Sequence, residues 1–106
     1  MDNSLFDFTT WEEVLQKLSQ SFKKRRLEKG LTRAKLQSIS GIPAPTIARF
    51  ETNSRISLEA FVRLAMVLGY EEELLNIFRE PKYNTLLEME TIKSNKNRKR
   101  GTRKPC

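Results

Sequence analysis

The chain is predicted to be all-α, with one five-helix domain, a helical extension on its N-terminal side and a basic C-terminal tail that should be disordered. Two observations predict this class. Apolar residues recur at helical spacing, with Trp11, Val14, Leu15, Leu18 and Phe22 at i, i+3, i+4, i+7 and i+11, and Leu58, Phe61, Val62, Ala65 and Leu68 further on. Between these stripes the run TRAKLQSISGIPAPTIARFE, Thr32 to Glu51, divides at a glycine into two short helical segments.

Residues 1–9 carry Leu5, Phe6 and Phe8 without a clear period and read as an arm. Thr9 with Glu12, or Thr10 with Glu13, fits a capping box, so the first helix should start near Thr10. Gly30 ends it, and Ser19-Gln20-Ser21 is the point where it could break in two. Lys23, Lys24, Arg25, Arg26 and Lys29 gather near its C-terminal end, where the helix dipole favours cations. Arg26 continues the stripe from Phe22 and should face inward or lie at the domain edge, whereas Lys23, Lys24 and Lys29 read as a solvated face.

In the central run, Leu36 and Ile39 share a helical face, Gly41 supplies a sharp turn, Ile42 plugs it and Pro43 opens the next helix. Ile47, Phe50 and Glu51 then fall on one side of that helix. At 100° per residue Pro45, Arg49 and Thr52 lie within roughly 40° of the opposite direction. This is a helix-turn-helix whose second helix can offer its outer face to a major groove.

Beyond it, Thr52–Ile56 reads as a polar loop. Ser57 can cap a fourth helix, which Gly69 ends. Glu71, Glu72 and Glu73 suit the first turn of a fifth, completed by Leu74, Leu75, Ile77 and Phe78 before Pro81. In residues 81–92, Asn84 or Thr85 can cap a short amphipathic segment carrying Leu86, Leu87, Met89 and Ile92. The organisation is therefore an arm (1–9), a helix-turn-helix domain (10–80), an amphipathic segment (81–92) and a basic tail (93–106).

The charge is uneven. Residues 93–106 hold seven of the 20 Lys and Arg and no acid, so the other 13 are balanced by 13 Asp and Glu. The net charge of +7 thus belongs to the tail, where it should add non-specific affinity for nucleic acid. With no histidine and a single cysteine, Cys106, neither a metal site nor an internal disulfide is expected. There is no Gly-rich phosphate loop and no nucleophile with a base at sensible spacing, so the chain reads as a non-enzyme without cofactor. No apolar run reaches the roughly 18 residues of a membrane span, and the acidic start does not suggest a signal peptide. A cytoplasmic protein without a membrane partner is expected.

The run from Phe22 to Leu68 resembles the lambda-repressor-like (Cro/C1, XRE-type) DNA-binding domain. The resemblance rests on Arg26, Gly30-Leu31-Thr32, Leu36, Gly41-Ile42, Thr46-Ile47, Arg49-Phe50-Glu51 and Leu64 to Leu68-Gly69. There are three departures. Gln37 stands where the family usually has a small Ala, which implies a shifted packing or a side chain that reaches solvent. Arg33 replaces the usual Gln, and Asn53 replaces a common Gly that follows the recognition helix. The resemblance implies a structural ion pair between Arg26 and Glu51. It also implies DNA-binding residues at Thr32, Arg33, Ala44, Pro45, Thr46, Arg49, Thr52 and Arg55. Arg49 could read guanine O6 and N7, and Arg33 suits a phosphate. Thr32 and Thr46 offer hydroxyls to phosphates, Thr52 and Arg55 follow the groove edge, and Ala44 and Pro45 could meet thymine methyls. With one strong hydrogen-bonding reader, much of the specificity would fall to DNA deformability and half-site spacing.

Thr46 to Tyr70, TIARFETNSRISLEAFVRLAMVLGY, is similar to the corresponding stretch of HipB-type antitoxins. That likeness implies a homodimeric repressor of its own operon, bound to an inverted-repeat operator in double-stranded DNA. It also implies a second partner, a HipA-like serine/threonine kinase toxin, encoded whole or in separate pieces. The alternative is a stand-alone phage-type or restriction-modification controller repressor with no toxin partner.

Overall fold

A computed structural model describes residues 9–82 and 85–96. The expectations for most of the arm, for Asn84 as a cap, for most of the basic tail and for Cys106 lie outside these described residues. The elements are α1 (Trp11–Glu28), α2 (Arg33–Ser40), α3 (Ala44–Asn53), α4 (Leu58–Val67), α5 (Glu71–Asn76) and α6 (Leu86–Asn95). The chain divides into two compact units after Leu74. None of the described helices is long and apolar enough to cross a membrane.

Side-chain caps set most of the helix starts. The Glu13 amide donates to Thr10 Oγ1 at 3.2 Å while the Thr10 amide donates to the Glu13 carboxylate at 3.3 Å, a reciprocal box. The Thr32, Ser57 and Thr85 hydroxyls accept in the same way from the Lys35, Ala60 and Glu88 amides. Gly41 ends α2 at φ 81°, a left-handed conformation that lets the chain reverse into α3. The core of the first unit is Phe22, Leu36, Ile42, Ile47, Phe50, Ala60, Leu64 and Leu68. Phe50 stands between two rings, edge-on to Phe22 at 5.3 Å and to Phe61 at 5.9 Å.

The structure departs from the sequence reading at several places. α1 does not break at Ser19. That residue is buried, its hydroxyl donates to the Gln16 carbonyl at 3.0 Å, and its oxygen lies 2.8 Å from Ser54 Oγ. With the Ser19 proton on Gln16, Ser54 is the donor of the second bond. Asn53, expected to follow the recognition helix, is its last residue, and Ser54 takes the left-handed conformation that closes α3, at φ 61°. Of the α1 stripe only Phe22 enters the core; Trp11, Val14 and Leu18 are exposed and Leu15 is half-buried. Ile39 is likewise exposed while Leu36 is fully buried. α5 stops at Asn76, which leaves Ile77 and Phe78 beyond its end, Phe78 being 92% exposed. α6 runs past Ile92 to Asn95, so the first residues assigned to the tail are helical.

Candidate nucleic-acid interface

α3 has a buried side and an open side. Ile47 and Phe50 enter the core, while Pro45, Arg49 and Thr52 are exposed. Ala44 and Thr46 are half-buried at its amino end. The open side is what a recognition helix presents to base edges.

Glu51, on the inner side, is the ionic centre that fixes this helix. Its side chain is 1% exposed. Arg26 of α1 grips it with both prongs of its fork, Nε to Oε2 at 2.6 Å and Nη2 to Oε1 at 2.9 Å. Arg26 Nη1 donates to the Leu31 carbonyl at 2.7 Å, so the same guanidinium also holds the α1–α2 connection. Arg33 of α2 adds Nε and Nη2, both to Oε1, at 3.1 and 2.9 Å. Burial by itself would raise the Glu51 carboxyl pKa. The hydrogen bonds from Arg26 and then Arg33, with their charges, outweigh it and hold the carboxyl below its ordinary value.

Several of the residues read from the sequence as DNA contacts already have partners inside the domain. Arg33 is engaged with Glu51 and keeps only its Nη1 edge open, its side chain 38% exposed. Thr32 uses its hydroxyl oxygen to cap α2. Thr52 Oγ1 donates to the Ala48 carbonyl at 2.7 Å. The Arg55 guanidinium stacks over the Trp11 ring, 5.5 Å from its centroid. The Arg49 guanidinium has no partner among the described residues and stands open on the outer face.

Two contacts had no signal in the sequence, and a third was signalled only by the residue type at position 37. Arg33 shares Glu51 across 18 residues, Ser19 meets Ser54 across 35, and Gln37 Oε1 accepts the Ala44 amide at 2.7 Å. The last explains the departure at residue 37: the side chain reaches over the turn and does not pack between the helices.

A pair of short helices meeting at a left-handed glycine, the second clamped from behind and open in front, is the arrangement of a DNA-reading motif. The helix-turn-helix family model matches residues 22–75, just over half of the 106-residue chain. No curated protein and no solved structure gives a significant match. The chain belongs to the helix-turn-helix family of Cro/C1 type, a family of DNA-binding transcription regulators.

Proposed function

We propose that the protein is a sequence-specific repressor that binds an inverted-repeat operator in double-stranded DNA as a homodimer. The observation that carries this reading is the Arg49 guanidinium, exposed and without a partner among the described residues, on the outer side of a helix whose inner side is fixed by Ile47, Phe50 and Glu51. A guanidinium so placed can give two parallel hydrogen bonds to guanine O6 and N7. Thr46, Pro45 and Ala44 lie nearer the helix start, and this reading gives Thr32, Thr52, Arg55 and the open edge of Arg33 to the duplex as further contacts. One short helix offers few base contacts, which is the argument for two copies with recognition helices about 34 Å apart, one DNA turn. Occupying an operator is enough to exclude the transcription machinery.

Arg49→Ala is expected to weaken binding to the preferred duplex by about 1–3 kcal/mol and to relax preference at one base position. Binding competition against a duplex pool measures both. Equal losses on preferred and random DNA would show that Arg49 contacts the backbone and not a base.

Arg33→Ala should weaken all duplexes alike and lower the salt slope by about 0.9 per monomer. Its unfolding free energy should fall too, because Glu51 loses one of its two cations. Sedimentation at micromolar concentration tests the dimer, and a monomer that occupies single half-sites would count against it.

A second reading adds a kinase-type toxin as partner. It rests on the likeness of residues 46–70 to HipB-type antitoxins and on exposed apolar side chains, Trp11, Val14 and Leu18 on α1 and Leu86 and Leu87 on α6. Co-expression with the neighbouring reading frame tests it. Without a complex, the stand-alone repressor remains.

A further inference from the structure

The start of α3 is closed from within the motif. Its N-cap position is Pro43, which provides no side-chain acceptor. The Ala44 amide instead donates to Gln37 Oε1 of α2, seven residues earlier and across the Gly41 turn, at 2.7 Å. Pro45 has no N–H, the Thr46 amide reaches the Pro43 carbonyl at 2.9 Å, and in the turn the Ile42 amide reaches Ser40 Oγ at 3.0 Å. None of these amides is left pointing outward for a phosphate, so the general anion site of a helix start is taken here by a side-chain carboxamide.

That carboxamide has a second half. Because it is planar, fixing Oε1 on the Ala44 amide also restricts where Nε2 can point. Nε2 carries two donors. Gln37 is exposed, and its Nε2 has no partner among the described residues. The result is a restrained donor at the amino end of α3, the end that enters a major groove. A donor already held in place loses little freedom on binding, which favours its use in a complex.

We propose that Gln37 is a DNA-binding residue: Oε1 caps the recognition helix while Nε2 donates to an acceptor on the duplex, a phosphate oxygen or a base edge. The proposal rests on the DNA-binding reading of the motif.

The test uses the full chain and a duplex selected by the wild-type protein from a random pool, with a scrambled duplex of the same length. Gln37→Glu keeps an acceptor for the Ala44 amide, and an anion suits that helix end, but it has no donor to offer. Ser38→Glu places the same charge on the neighbouring exposed position and measures the general electrostatic loss. The expected result is a Gln37→Glu melting temperature close to wild type, with affinity about tenfold below that of Ser38→Glu. A loss on the selected duplex alone assigns the contact to a base edge, and an equal loss on both duplexes assigns it to phosphate. In the wild type, the Gln37 side-chain amide protons should shift and exchange more slowly when DNA is added. This NMR readout stands even if a variant folds poorly.

Equal affinities of the two variants, with unmoved Gln37 amide signals, would overturn the proposal and leave Gln37 as a cap alone. If the wild type selects no duplex, the DNA-binding reading itself fails and this proposal falls with it.

Discussion

Glu51→Gln is expected to lower the unfolding free energy by about 3–5 kcal/mol, the cost of leaving a buried charge without its partner. The stranded group is Arg26, whose side chain is 5% exposed and whose fork is matched to both carboxylate oxygens. A glutamine offers one oxygen and turns an NH2 towards the guanidinium. Domains of this kind have about 5–15 kcal/mol in total, so the loss is a large share and is visible in a urea melt.

The pH dependence has a definite sign. The folded Glu51 carboxyl titrates below its ordinary value of 4.5, so its contribution is full above that value and disappears as pH falls through the lower folded value. The gap between wild type and Glu51→Gln should therefore be constant from neutral pH down to about the ordinary glutamate value and shrink below it. Replacing both partners, Arg26→Met with Glu51→Met, should recover much of the loss, because neither charge is then buried alone. A single-variant cost below about 1 kcal/mol would mean that the Leu31 carbonyl and water satisfy Arg26 unaided.

Phe50→Ala is expected to cost about 3–5 kcal/mol by emptying the centre of the core. Phe50 is the ring through which α3 touches both Phe22 of α1 and Phe61 of α4, so the cavity would open where three helices meet. For a domain of about this size the melting temperature should drop by roughly 4–8 °C per kcal/mol. Leu18→Ala is the control. It removes an aliphatic side chain from the same α1 stripe that carries Phe22, but from an exposed position, so it should stay within about 0.5 kcal/mol of wild type. A large loss at Leu18 would show that something covers that face in solution.

This contrast also shows how far the sequence could be read. Caps are written within four residues, so Thr10 with Glu13, Ser57 and Thr85 stand out in the sequence as helix starts, whereas Thr32, read there as a phosphate contact, caps α2. The left-handed turn at Gly41 is legible for the same reason. Periodicity shows only which side chains share a face and cannot tell whether anything lies against it. Trp11, Val14 and Leu18 have the period of a core stripe, yet within the 18-residue α1 the buried residues are Ser19, Phe22 and Arg26.

In the interface, the outward set of Pro45, Arg49 and Thr52 followed from 100° per residue. The sharing of Glu51 by Arg33, the bond of Ser19 to Ser54 and the reach of Gln37 to Ala44 depend on how helices cross, and no local spacing encodes that. Arg33 shows the consequence most clearly, since its residue type suggests a phosphate contact while tertiary geometry gives two of its nitrogens to a carboxylate.

The bond from Gln37 to Ala44 ends on a backbone amide, and that affects how such a protein can change what it recognises. Any residue except proline at position 44 would preserve the cap, and the exposed side chains at 45, 49 and 52 are outside the core cluster. The vocabulary of the recognition helix is thus separable from its grammar. New combinations at 45, 49 and 52 could be tried by drift, or transplanted from another member of the family, while Ile47, Phe50 and Glu51 keep the helix in place. A library randomised at those three outer positions should yield mostly folded proteins that differ in the DNA they choose, whereas one randomised at the three inner positions should yield few that fold.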